Sequence, residues 1–226
     1  MKQISRRSLL AAAAGSVAAF GLSGCAANDE PDGEPLKKPL DRSRTLVTYF
    51  SVPLTDDPNA DMDADEKNST HIVDGKVLGN TQYVAQLIQE GTGGEVFRIE
   101  TARELPLDYP VLEDQALKEQ EAGARPKLAK LIPNLDDYDT VFVGYPIWWY
   151  DLPMPMYTFF EQHDFAGKTV IPFTTHGGSR LSGTVEKITG LLPDATVSEN
   201  AFTISRDDMD SADSEVDGWL DSLTGK

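Results

Sequence analysis

From Thr45 to the C-terminus, short apolar runs alternate with amphipathic segments. Thr45 to Ser51 (TLVTYFS), Glu95 to Glu100 and Thr140 to Gly144 read as the first three strands. The third holds Val141, Phe142 and Val143 in succession and has no polar face, the pattern of a strand buried on both sides. Thr169 to Thr175 and Thr196 to Ile204 are the fourth and fifth. Between strands, Thr81 to Glu90 sets Tyr83, Val84, Leu87 and Ile88 on one face of a helix that Gly91 stops. Leu112 to Leu131 is charged and irregular, one or two helices broken near Pro126. Met154 to Gln162, Gly183 to Leu192 and Asp207 to Leu223 complete the alternation, the last with Trp219. Five strands interleaved with helices predict an α/β domain: a doubly wound parallel sheet with helices on both faces.

Two stretches depart from this rhythm. Residues 52–78 form an insertion, acidic at first (Asp56, Asp57, Asp61, Asp63, Asp65, Glu66) and then Ile72 to Val77 around Asp74-Gly75, a hairpin signal. A loop of this length inside a domain is functional or mobile. Its acids lack the spacing, central glycine and closing glutamate of a calcium loop, so they read as a solvated face.

The other departure is residues 1–24, which read as an export signal: Lys2, Arg6 and Arg7 precede a weakly apolar stretch, Leu9 to Leu22, too short and too rich in alanine and glycine for a membrane span. Ser5-Arg6-Arg7-Ser8-Leu9-Leu10 resembles a twin-arginine signal, with Leu9 where phenylalanine is commonest. Leu22-Ser23-Gly24-Cys25 matches the bacterial lipoprotein box. Cys25 is the single cysteine, so no intrachain disulfide forms, and it is expected to carry lipid at the start of the mature chain. Residues 25–44, with Pro31, Pro35 and Pro39, read as a tether to a domain over 45–226. The expected location is the extracytoplasmic face of the cell membrane, held by lipid.

The chain has 226 residues and a formal charge of −17. Three of its 20 basic residues and no acid lie in the signal, which leaves 17 against 37 acidic residues, or −20. That charge excludes a nucleic-acid surface and disfavours contact of the folded body with anionic lipid. It is compatible with a cationic partner or with solubility alone.

Three loops carry candidate chemistry. Gly79-Asn80-Thr81 opens the first helix, where unpaired N–H groups and the dipole suit an anion, and Ser51 at the end of the first strand adds a hydroxyl. The triplet also reads as an ordinary helix cap by Asn80. After the third strand, Pro146-Ile147-Trp148-Trp149 leads into a loop with Tyr150 and Pro153. Neighbours on an extended chain face opposite sides, so one tryptophan is expected near the surface, as a packing plug or a seat for a flat ligand. After the fourth strand, Thr175-His176-Gly177-Gly178-Ser179 frees the backbone for close approach, and no partner is visible that would make His176 a general base. In a sheet of order 2-1-3-4-5 these loops meet at the switch-point crevice, where a flat, phosphate-bearing ligand fits.

With those residues in view, the chain resembles the flavodoxin family, in the branch that carries Tyr49-Phe50-Ser51, Gly79-Asn80-Thr81, Gly144 to Trp149 and Thr175 to Ser179. The similarity covers about Thr45 to Ile204. The resemblance implies FMN as cofactor. Its phosphate would lie at Ser51, Asn80 and Thr81, with the ring against Pro146, Ile147, Trp148 and Trp149. The backbone of His176, Gly177 and Gly178 would face the pyrimidine end. The implied role is electron transfer to a redox partner protein or a small-molecule acceptor, with no nucleic acid and no membrane contact beyond the anchor. A self-sufficient NAD(P)H or quinone reductase and a non-redox binding module are the rival readings. Two departures from the family pattern stand out: the insertion splits Ser51 from Gly79, and Tyr150 replaces a glycine common beside the ring.

Overall fold

All six residues of the first strand are buried, and its two threonines donate their hydroxyls to the Asp41 and Phe142 carbonyls at 2.7 and 2.9 Å. In this computed structural model, which describes residues 35–36, 39–64 and 66–225, the strands are β1 (Thr45–Phe50), β2 (Thr70–Val73), β3 (Lys76–Gly79), β4 (Glu95–Ile99), β5 (Thr140–Pro146), β6 (Thr169–His176), β7 (Thr196–Val197) and β8 (Phe202–Ser205). The helices are α1 (Asn80–Thr92), α2 (Tyr109–Glu121), α3 (Met154–Gln162), α4 (Thr184–Leu191) and α5 (Ala212–Thr224). Residues 1–24, read above as an export signal, and Cys25 lie outside the described residues.

The main sheet runs β4-β1-β5-β6, with β7 and β8 both on the outer edge of β6, and every pairing in it is parallel. Counted along the chain without the hairpin, this is the order 2-1-3-4-5 read from the sequence. On one face α1 and α5 pack Val84, Ile88, Val216 and Trp219 against Val47, Phe142 and Ile171. On the other, Met156 and Phe159 of α3 and Ile188 of α4 cover Val141, Val143 and Val170. Among the described residues no helix is long and apolar enough to cross a membrane.

The expected fifth strand is two segments. The Ser198 N–H still donates to the Val170 carbonyl of β6 at 2.8 Å, and residues 199–201 then leave the ladder as Asn200, 3% exposed, turns inward to serve the terminal helix. The indole N–H of Trp219 points at its backbone and side-chain oxygens at 3.3 and 3.2 Å, and its own amide donates to Ser222 at 3.2 Å. The expected terminal helix likewise begins as a 3-10 stretch, Arg206–Ser211, before α5. The charged region resolves into one helix, α2, started by Asp108, whose carboxylate accepts from the Val111 N–H, and finished before Pro126. Inside the stretch read as a tether, Leu36 and Leu40 pack against the core on the α1/α5 face, and the Leu36 N–H donates to the Leu223 carbonyl at 2.9 Å. Arg44 pairs with Asp139 at the start of β1.

The insertion forms the antiparallel hairpin β2–β3, with Asp74 and Gly75 at positive φ (50° and 72°) as its Asp-Gly turn requires. Its base stays beside the main sheet: the Leu54 N–H donates to the Thr70 hydroxyl at 2.8 Å, and the Ser69 hydroxyl to the Val52 carbonyl at 2.6 Å.

Candidate functional site

The carboxyl ends of β1, β5 and β6 meet the start of α1 at the point where the strand order reverses. Gly79, in extended conformation, is the cap residue of α1, and Asn80 is the first helical residue. A Cβ on Gly79 would lie 2.0 Å from the Ser51 hydroxyl, so the glycine lets β1 and α1 approach. Asn80 is not the cap that the sequence also allowed. Its N–H donates to the Ser69 carbonyl at 2.9 Å, its side-chain amide to the Asn68 carbonyl at 3.2 Å, and its Oδ1 is buried with no partner. The insertion thus takes up the backbone N–H and one side-chain N–H of Asn80 and leaves its acceptor buried without a partner. The following N–H groups of the first turn have no intrahelical acceptor. Thr81 shares a 2.7 Å hydroxyl–hydroxyl bond with Thr175 at the end of β6.

Beyond Pro146 the chain makes a two-residue hairpin. Trp148 and Asp151 exchange both backbone hydrogen bonds, at 3.0 and 2.9 Å, and Trp149 and Tyr150 turn at φ 48° and 60°. Trp148 is half-buried, edge-on to Phe50 with centroids 5.4 Å apart. Trp149 is 40% and Tyr150 74% exposed. The adjacent rings therefore divide, one packed and one at the surface. Asp151 fastens the turn, accepting from the Tyr157 hydroxyl at 3.0 Å and pairing with Lys187 at 2.7 Å. Burial, helped by that carboxylate, pushes the Tyr157 hydroxyl up to about 12.

After β6, the Gly178 N–H donates to Nδ1 of His176 at 2.9 Å. Burial, reinforced by the Arg180 charge, holds the His176 pKa below its ordinary value, so the ring is neutral at pH 7 with its proton on Nε2. Arg206, the first residue after β8, lays its guanidinium over Gly177, where a Cβ would come within 2.9 Å of Cζ.

These loops enclose two adjoining cavities. The smaller, about 100 Å³, holds Ser51, Asn80, Thr81, Thr175 and His176, with Asn68 and Ser69 of the insertion. The larger, about 480 Å³, is walled by Trp149, Tyr150, Gly178 and the α2 residues Glu113 and Ala116. Tyr109, Leu112, Ile147, Trp148, Gly177 and Arg206 line both, and Pro146 lines the smaller. Every residue expected at the site lines one cavity or the other except Gly79, which stands behind Ser51. Sequence reasoning missed the insertion's share of the wall, the α2 side and Arg206. The one signal for α2 was Asp108 before Tyr109-Pro110, a helix start facing this crevice. Among the described residues no cluster of His, Cys, Asp or Glu could hold a metal ion.

The fold and this crevice define a flavodoxin-like α/β protein. The sequence model of the family described as Flavodoxin matches residues 76–222, and the chain belongs to that family. Among solved structures it is similar to a provisionally assigned flavoprotein from Bacteroides uniformis, at 27% identity over 80% of this chain and 99% of that one, with a TM-score of 0.61. A second, from Bacteroides eggerthii, is 26% identical over 81% and 99%, with a TM-score of 0.60. A flavoprotein from Lactobacillus acidophilus, solved in complex with FMN, shares the fold at 20% identity over 79% and 99%, with a TM-score of 0.51. A comparison with curated proteins finds no match.

Proposed function

We propose that this chain binds FMN non-covalently and acts as an exported, lipid-anchored electron carrier. The observation that carries the reading is the pairing of a small hydroxyl- and amide-lined cell at the start of α1 with a larger aromatic-walled one, joined through Trp148 and Gly177. The donors fit the group. Ser51, Thr81 and the free N–H groups of the first helical turn suit a phosphate. The unpartnered Oδ1 of Asn80 is an acceptor, so it suits a hydroxyl of the ribityl chain rather than the phosphate itself. The ring belongs against Ile147 and Trp148, which Phe50 holds in place.

FMN, when bound, supplies one- and two-electron transfer, and the protein supplies binding and electrostatics. The neutral His176 ring brings a donor at Nε2 without a charge. Tyr109 and Leu112 close the side of α2 and exclude water. The family match and the FMN-bound Lactobacillus acidophilus protein support the cofactor. The lipoprotein box at Cys25 supports the anchor, and the mature chain's charge of −20 suits a cationic redox partner better than the phosphates of NADPH.

The purified protein is expected to show flavin absorbance, or to gain it on addition of FMN. A colourless protein that gains none refutes the reading. The loaded protein alone should not turn over NAD(P)H; steady turnover would make it a reductase. Cys25→Ser should move the protein from the membrane fraction to the released fraction, and an unchanged distribution would contradict the anchor.

A further inference from the structure

Arg206 is out of keeping with its surroundings. It is a half-buried cation in a chain with 37 acidic residues, and among the described residues it makes no ion pair and no side-chain hydrogen bond. Asp207 and Asp208, its neighbours in sequence, are exposed, and the Asp207 N–H is spent on the Ser205 hydroxyl at 3.2 Å. The guanidinium lies close against the backbone of Gly177, where a Cβ would come within 2.9 Å of Cζ. None of its nitrogens is among the buried unpartnered polar atoms, so the guanidinium keeps its donors open to solvent and to a ligand entering the crevice.

Arg206 is the one formally positive side chain lining either cavity. The two cells differ in which ligand group they suit. The larger, which Arg206 also lines, has the acidic residue Glu113 in its wall among aromatic and small residues. The smaller has no acidic side chain, is the size of a tetrahedral anion with little room to spare, and is lined by the hydroxyls of Ser51, Thr81 and Thr175. An N–H cradle at a helix start contributes only a partial positive charge. A phosphate dianion entering a protein of net charge −17 meets a repulsive field that such a cradle does not offset.

We propose that Arg206 is the cationic side of the smaller cell and binds the phosphate monoester of the ligand by charge-assisted hydrogen bonds. The phosphate is thereby held by α1 and β1 on one side and by the residue after β8 on the other. Reading that monoester as the FMN phosphate rests on the function proposed above.

The test is titration of the full protein with FMN and with riboflavin, which lacks the phosphate, followed by quenching of flavin fluorescence. Arg206→Gln should weaken FMN about 10- to 100-fold, the worth of one charge-assisted contact. Riboflavin should change by less than about 2-fold, since no such contact is removed. Arg206→Lys should recover part of the FMN affinity, keeping the charge but losing the fork. Unchanged FMN affinity in Arg206→Gln overturns the proposal. Equal losses for both flavins also overturn it, since Arg206 would then act on the ring. If the wild-type protein takes up neither flavin, the flavin reading falls, and Arg206 is judged with inorganic phosphate alone at constant ionic strength. Phosphate should then raise the melting temperature of the wild type and Arg206→Lys but not of Arg206→Gln. Equal shifts in all three, or none in any, overturn the assignment.

Discussion

Trp149 and Tyr150 occupy the two central positions of a turn built for Asn-Gly or Asp-Gly. The same chain makes a turn of this kind with the favoured residues at Asp74-Gly75, where φ reaches 50° and 72°. At the crevice it uses two bulky aromatics at φ 48° and 60°, a conformation that costs on the order of 1–3 kcal/mol per residue. Tyr150 is largely exposed and buries little to offset that cost. Tyr150→Gly should therefore stabilise the protein by about 1 kcal/mol, a rise of about 2–4 °C in melting temperature for a domain of this size. A lower melting temperature would show that Tyr150 holds the turn through contacts not evident in its exposure. Tyr150, where the sequence departs from the glycine expected there, is thus a local strain placed in the wall of the crevice.

His163 answers a different question at the same scale. Its Nε2 accepts from the Ile132 N–H at 2.9 Å and its Nδ1 faces the Phe159 carbonyl at 2.8 Å, an arrangement that uses the neutral ring. Burial lowers its pKa, with the Phe159 bond opposing in part. Below about pH 6.5 the unfolded chain takes up this proton before the folded one does, so the stability is complete above that pH and is lost as pH falls through the lower folded-state pKa. His163→Gln should show a shallower loss of melting temperature between pH 7 and pH 5 than the wild type. Parallel curves would contradict the assignment.

At the scale of elements, α2 is tied to the aromatic turn. The Trp149 indole N–H donates to the Glu113 carbonyl at 3.1 Å, and the Gln120 amide to the Trp149 carbonyl at 3.2 Å. Trp149→Phe keeps an aromatic ring and loses the first bond, worth about 1 kcal/mol. Hydrogen exchange should then speed up in the α2 amides while those of β5 and β6 stay unchanged. Unchanged exchange in α2 would mean that packing alone holds the helix. Strands β1, β5 and β6 were legible because a strand buried on both faces carries apolar and β-branched residues with no polar side to alternate against. The division of the fifth strand was not, since it depends on Asn200 reaching Trp219 and Ser222 on another element. The insertion's role was also out of reach, because it lies in backbone carbonyls of Asn68 and Ser69 that any residue would carry.

At the scale of the molecule, the three loops read from the sequence do converge, because each follows a strand whose position the topology dictates. Arg206 escaped notice because a lone arginine after a short strand carries no pattern, and its meaning comes from Gly177 opposite. The surrounding negative charge bears on the same proposal, since it would favour a cationic partner and would leave the neutralisation of a bound anion to a few local groups. All of this turns on one ligand. Titrating FMN into the purified, flavin-free protein while following flavin fluorescence and melting temperature together tests it most directly. The account predicts quenching that saturates at one FMN per chain, with about 2.7 kcal/mol of added stability when free FMN reaches about 100 times its dissociation constant. Fluorescence that falls without saturating, or saturation with no gain in melting temperature, would contradict it.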